Sequence, residues 1–125
     1  MSDQIPPSVE AFVGDWIGSI AELELLLLVA EDSSKAWGID AVARELYVTP
    51  AAAEAILVRM TARGLLTHTA DGYRFTPRTP ELADTITALR ELYAIRRLRV
   101  VELIYAGPTE KYQSFADAFR LRKNP

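Results

Sequence analysis

Near its centre the sequence places helix and turn signals in an order that few folds accommodate. Thr49 followed by Pro50 predicts a helix start, because threonine caps free N–H groups and proline fits the first helical position. The helix that follows is rich in alanine, and Gly64 is placed to end it in the left-handed conformation. Asp71-Gly72, between two strand-like runs, then predicts a hairpin.

A shorter helix precedes this series. Asp40 is a candidate N-cap for it, and Val42, Ala43 and Leu46 form its core-facing side. Residues 36–38 are enough for a small strand that would pair with the hairpin. The predicted order is therefore strand, helix, tight turn, helix and hairpin.

This order resembles the winged helix-turn-helix of bacterial regulators such as the MarR and PadR families. The matching residues are Trp37 to Pro50, the helix that ends at Arg63-Gly64, and the strand-like runs Leu65–Thr69 and Tyr73–Thr76. The resemblance covers residues 19–80 best. It implies a mainly α fold with a small β-hairpin wing, whose second helix enters the major groove of double-stranded DNA.

The flanking sequence divides the chain into three segments. Residues 1–18 predict a short N-terminal helix or arm, because their apolar residues follow helical spacing: Val9, Phe12, Val13, Trp16 and Ile17. Residues 19–78 form the expected winged helix-turn-helix domain. Residues 79–125 form a C-terminal helical extension, which the resemblance assigns to dimerisation.

The second predicted helix is apolar all round. Ser19 and Glu22 form a capping box that opens it, and it continues to about Glu31. Leu25 to Leu28 point in four successive directions around the helix axis. We expect this helix to be buried on more than one side.

In the C-terminal extension, Thr79 and Pro80 predict a long helix to about Tyr105, and a last helix runs from Thr109 to about Arg122. A helix of about 26 residues is about 39 Å long and outruns a small domain. A homodimer would cover the remainder of its apolar face; the alternative is an antiparallel pair that completes a monomer. The candidate dimer contacts are Leu82, Ile86, Leu89, Tyr93, Val100, Ile104, Phe115 and Phe119.

The resemblance also implies which residues would contact DNA: Thr49, Ala51, Ala52, Glu54, Ala55, Arg59, Arg63, Arg74 and Arg78. Among the outward residues of the second helix, only Glu54 and Arg59 have long polar side chains. Reading bases needs hydrogen-bond donors and acceptors. Two functions are therefore expected: a DNA-binding transcription regulator, or a protein-interaction module without sequence-specific DNA binding. A positive surface joining Arg59, Arg63 and Arg74 would favour the regulator, and an apolar or acidic helix face that the N-terminal helix or the dimer covers would favour the module.

The charge is unevenly distributed. The net charge is -3, with 6 basic and 11 acidic side chains in residues 1–78 and 8 basic and 6 acidic in residues 79–125. The densest basic cluster comprises Arg90, Arg96, Arg97 and Arg99. It is expected to form ion pairs, and the alternative is a site for an anionic ligand.

Several classes of function are not expected. The chain has no cysteine and a single histidine, His68, so we expect no metal site, no cofactor and no catalytic residues. The first residues lack the pattern of a signal peptide, and the longest apolar run is too short to span a bilayer. These features favour a cytoplasmic protein with no membrane partner.

Overall fold

The computed structural model describes residues 5–105, which are mainly helical and include a two-stranded antiparallel hairpin. The elements are α1 (Pro7–Trp16), α2 (Ile20–Ala30), α3 (Ile39–Leu46), α4 (Pro50–Ala62), β1 (Leu66–Thr69), β2 (Gly72–Phe75) and α5 (Pro80–Ile95). A further helix, α6, occupies residues 97–105. The predicted last helix at residues 109–122, with Phe115 and Phe119, lies outside the described residues.

Three predicted helix starts are confirmed by their capping bonds. Each capping oxygen accepts a hydrogen bond of 3.1 Å from the N–H three residues later: Ser19 from Glu22, Thr49 from Ala52 and Thr79 from Leu82. Proline occupies the first turn of both helices that follow a threonine cap. These bonds satisfy N–H groups that have no partner within the helix.

The predicted cap of α3 is wrong. The helix begins at Ile39 after Gly38, which has no capping side chain, and Asp40 lies in the first turn. The preceding residue, Trp37, is held by two backbone hydrogen bonds with Tyr73, of 2.7 and 2.8 Å. Because the chain leaves this bridge directly into the helix, α3 starts before Asp40 can cap it. The carboxylate still favours the positive end of the helix dipole.

The hairpin is confirmed with the predicted turn. Leu66 pairs with Phe75, and Thr69 pairs with Gly72 across the turn. Gly64, which follows the end of α4, has a φ of 84°, and Gly72 has a φ of 131°. The small strand expected at residues 36–38 is reduced to a single bridge between Trp37 and Tyr73.

The predicted single long helix is wrong, because it breaks at Arg96. The backbone there has φ -135° and ψ 55°, and α5 ends at Ile95. The break redirects the chain, so that Val100 and Ile104 of α6 are fully buried. A straight helix would carry these two side chains away from the core.

One hydrophobic cluster joins all the helices and the hairpin. α2 lies at its centre: Leu25 and Leu26 are fully buried, and Leu27 and Leu28 are half-buried on the other sides of the helix. The expectation that α2 is buried on more than one side is confirmed. The C-terminal helices share this core, instead of standing apart from it.

Most candidate dimer contacts are therefore used inside the chain. Ile86, Leu89, Val100 and Ile104 are buried by residues of the same chain, so they are not available to a second subunit. Leu82 and Tyr93 are half-buried and pack against the same core. Within the described residues, these side chains pack against the core of their own chain.

Candidate interaction surface around α4

One side of α4 faces outward along its whole length. Its exposed residues are Ala51, Ala52, Glu54, Ala55, Val58, Arg59 and Ala62, and the capping Thr49 is exposed at its start. The opposite side is buried through Ala53, Ile56, Leu57 and Met60. The face expected to contact a partner is thus on the surface. Apart from Glu54 and Arg59, its side chains are methyl groups or the small isopropyl group of valine.

Arg59 lies on this outward side, but its guanidinium turns towards α2. Its Nη2 lies 2.8 Å from Oε2 of Glu22, at the start of α2. The same carboxylate accepts a 2.7 Å hydrogen bond from the N–H of Gly18. The positive charge of Arg59 is therefore partly compensated by an acid of the same chain, and its guanidinium points towards α2.

Two other arginines bind backbone carbonyl groups. Arg63 donates to the carbonyl oxygen of Trp16 at 2.9 Å, and Arg74 donates to that of Ser34 at 2.8 Å. A carbonyl oxygen does not cancel a full positive charge, so both charges remain. The two side chains nevertheless point in different directions, towards α1 and towards the loop before α3.

Arg78 lies against the C-terminal end of α4. A Cβ atom built on Gly64 would be only 2.6 Å from Nε of Arg78, which places the guanidinium directly over this glycine. A cation is favourable there because the last carbonyl groups of a helix carry partial negative charge. Arg78 therefore has a local role at the end of the helix.

The hairpin separates Arg74 from the surface of α4. His68 stacks on Tyr73 with ring centroids 4.1 Å apart, and both rings line a shallow groove of about 300 Å³ beside α4. Neighbouring residues of a strand point to opposite faces. Arg74, next to Tyr73, lies on the face away from this groove. Arg74 is therefore separated from Arg59 and Arg63, which both bind residues at the junction of α1 and α2.

The groove continues the apolar side of α4. Its walls are Val58, Thr61 and Ala62 from the helix and His68 and Tyr73 from the hairpin. The exposed members of this groove, Val58, Ala62 and His68, together with Ala51, Ala52 and Ala55, form an outward surface, which we call the α4 face. It combines small apolar groups with the ring of His68, which covers the buried Tyr73.

Sequence reasoning missed Tyr47, which stands at one end of the α4 face. It occupies the turn between α3 and α4 with φ 57° and ψ 44°, and 95% of the residue is exposed. A left-handed conformation costs a residue with a side chain about 1–2 kcal/mol. The signal was available: the position after α3 favours glycine, and the sequence has a large aromatic residue instead.

We expect Tyr47→Gly to raise the free energy of unfolding by about 0.5–1 kcal/mol, because it relieves the left-handed strain and loses no buried surface. Chemical denaturation followed by circular dichroism measures this change. Tyr47→Ala is the matched control: it removes the ring, keeps the strain and should leave stability almost unchanged. A stability loss in the glycine variant would show that the exposed ring contributes to folding.

The charges of the first 78 residues are segregated. Residues 1–34 contain 7 acidic and no basic side chains, for a net charge of 0 - 7 = -7. Residues 35–78 contain 6 basic and 4 acidic side chains, for a net charge of 6 - 4 = +2. Residues 35–78, which include α4 and the hairpin, are thus mildly basic, and residues 1–34, which include α1 and α2, are strongly acidic.

Other kinds of site find no support in residues 5–105. No group of three or more His, Cys, Asp or Glu residues in this range is arranged to hold a metal ion. No helix in the same range has both the length and the apolar character to cross a membrane.

No family model matches the chain, and no curated protein or solved structure is significantly similar to it.

Proposed function

We propose that the chain is a winged-helix protein-interaction module that binds a partner protein across the α4 face. The succession of α3, a tight turn, α4 and an antiparallel hairpin supports the winged-helix assignment. The observation that carries the functional proposal is the apolar outward side of α4, from which the arginines are directed away.

The chemistry of the α4 face suits a protein partner better than base edges. Ala51, Ala52 and Ala55 offer no hydrogen-bond donor or acceptor in their side chains, and readout of bases in the major groove depends on such groups. Small side chains instead allow a partner backbone or helix to approach closely. Tyr47 and His68, whose ring stacks on the buried Tyr73, supply exposed aromatic surface, and aromatic residues are enriched at the energetic centres of protein interfaces.

Duplex DNA is the second candidate, and the charge distribution favours it. Residues 35–78 carry a net charge of +2, and Arg63 and Arg74 keep their full charges because they bind carbonyl oxygens. The exposed start of α4 is also suited to an anion. This candidate is a transcription regulator that holds phosphates and reads little sequence.

A matched pair of substitutions tests the protein-interaction proposal. A photoreactive residue at position 58 first identifies the partner in cells, and the purified partner is then titrated with the full chain. We expect Ala55→Glu on the α4 face to weaken binding at least about 10-fold, because it places a charge in an apolar interface. Ala11→Glu, the same change at an exposed position of α1, should leave the affinity unchanged. Equal effects of the two variants would refute the proposal.

Salt dependence separates the two candidates. A protein that neutralises about four phosphates loses about 100-fold in DNA affinity between 50 and 200 mM salt. In fluorescence anisotropy with duplexes of several sequences, we expect no binding near 200 mM salt, and partner binding that changes less than about 3-fold over the same range. Tight DNA binding that Arg74→Ala and Arg59→Ala weaken, with a salt slope reduced by about one for each, would favour the regulator instead.

A further inference from the structure

The side chain of Tyr47 makes no contact within its own chain that would offset its backbone strain. Among residues 5–105, Tyr47 is the one residue other than glycine with a positive φ. In the same range its ring and hydroxyl have no hydrogen bond, ion pair or ring contact, and 95% of the residue is exposed. Backbone strain of this kind is found most often at functional sites. We therefore looked for a function of the ring outside the folded chain.

The turn that carries Tyr47 is held firmly at both ends. The N–H groups of Tyr47 and Val48 both donate to the carbonyl oxygen of Ala43, the second at 3.0 Å. Val48 also packs against the core, and the hydroxyl of Thr49 caps the start of α4. These contacts fix the backbone on either side of Tyr47. Because a tyrosine side chain has only two torsions to order, its ring loses little conformational entropy on binding.

The ring stands at the N-terminal end of the α4 face. At about 1.5 Å per residue, about 18 Å separate Pro50 from Ala62 along the helix axis. The small exposed side chains between these ends are spaced by three or four positions and share one side of the helix: Ala51, Ala55, Val58 and Ala62. A partner that covers the α4 face therefore meets a strip of small apolar groups and one large ring at its end.

We infer that Tyr47 is the anchor residue of the protein interface proposed above, and that its ring enters an apolar pocket of the partner. The hydroxyl donates a hydrogen bond to an acceptor inside that pocket, because a buried tyrosine hydroxyl needs a partner. Tyrosine is one of the residues that most often dominate the binding energy of an interface. This inference rests on the proposed function, since it requires a protein that covers the α4 face.

The anchor defines the kind of partner. An exposed ring at the end of a strip of small side chains fits a folded domain that has a pocket of the size of one ring beside a flat apolar surface. An isolated helix or an extended peptide has no such pocket. The partner is therefore a folded protein, and the pocket that takes Tyr47 contains a hydrogen-bond acceptor.

Folding and binding make opposite demands on position 47. A glycine there relieves the left-handed strain, but it has no side chain to offer a partner. A substitution that stabilises the free chain should therefore weaken the complex. An ordinary exposed residue, whose ring has no partner outside the chain, would not show this opposition.

Three substitutions of Tyr47 test the anchor. The protein crosslinked from position 58 is identified and purified, and its affinity for the full chain is measured by isothermal titration calorimetry. We expect Tyr47→Gly and Tyr47→Ala each to weaken binding at least about 30-fold, and Tyr47→Phe about 3- to 10-fold, because it loses only the hydroxyl. The alanine variant keeps the backbone strain, so it separates loss of the ring from a change in the turn. Leu98→Ala, which shortens another exposed side chain, is the control and should leave the affinity unchanged.

Comparison with Ala55→Glu separates failure of the anchor from failure of the proposed function. If Ala55→Glu weakens binding and Tyr47→Ala changes it less than about 3-fold, the α4 face binds the partner and Tyr47 is not its anchor. If only the Tyr47 variants weaken binding, the partner binds the turn, and the proposed function fails. No effect of either, or no protein crosslinked from position 58, would overturn both. Destabilisation of the free chain by Tyr47→Gly would overturn the anchor alone, because the ring would then contribute to folding.

Discussion

Replacing Leu89 with alanine is expected to lower the free energy of unfolding by about 2–5 kcal/mol. Leu89 lies on α5 and is fully buried in the core that joins the C-terminal helices to the rest of the chain. Truncation removes apolar contacts and leaves a cavity that the neighbours fill only in part. Because residues of the same chain bury Leu89, the loss should not depend on protein concentration. Urea denaturation at two widely separated concentrations measures it.

Leu98→Ala is the matched control for Leu89→Ala. Leu98 is 75% exposed, so the same substitution should cost less than about 0.5 kcal/mol at concentrations where the chain is monomeric. The two variants lose the same atoms and differ in burial. If Leu89→Ala lowered the free energy of unfolding only at concentrations that favour association, Leu89 would belong to a subunit interface. The sequence-based assignment of Leu89 as a dimer contact would then be right.

The elements that sequence reasoning predicted correctly depend on local chemistry. A Thr-Pro pair opens a helix wherever it stands, because the capping oxygen and the fixed φ of proline act within one turn. The starts of α4 and α5 followed this rule, and Asp71-Gly72 likewise formed the predicted hairpin turn. For the same reason, Gly64 and Gly72 have the positive φ angles expected of them.

The elements that it mispredicted depend on contacts between distant parts of the chain. An apolar stripe predicts which side chains of a helix are covered, and it does not show where the helix breaks to bring them to the core. The break at Arg96 has no glycine or proline to announce it. It is explained by the burial of Val100 and Ile104, which requires the core to exist first.

The candidate site divides in the same way. The outward side of α4 could be predicted from helical periodicity, and the exposed residues agree with it. The positions of the arginines could not. Arg59 binds Glu22, 37 residues away, and Arg74 binds Ser34, 40 residues away. These contacts decide whether the α4 face is basic or apolar, and they exist only in the folded chain.

Gly72→Ala is expected to lower the free energy of unfolding by about 2–4 kcal/mol, because two penalties act at one position. The φ of Gly72 is 131°, in a region that residues with a side chain rarely adopt. A Cβ atom there would also lie 2.6 Å from the carbonyl oxygen of Trp37. That oxygen accepts the N–H of Tyr73, so relieving the clash breaks the bridge that ties the hairpin to the start of α3.

Gly64→Ala and Asp71→Ala separate these two penalties. Gly64 also has a positive φ, but the atoms nearest to its added Cβ belong to the side chain of Arg78, which can move away. It should cost about 1 kcal/mol, from the backbone conformation alone. Asp71→Ala, at the exposed neighbouring position, should have little effect on the free energy of unfolding.

Amide hydrogen exchange at Trp37 and Tyr73 should accelerate in Gly72→Ala and in neither of the other two variants. Equal losses for the two glycine variants would mean that backbone strain alone acts at Gly72, and that the bridge to Trp37 does not resist the substitution.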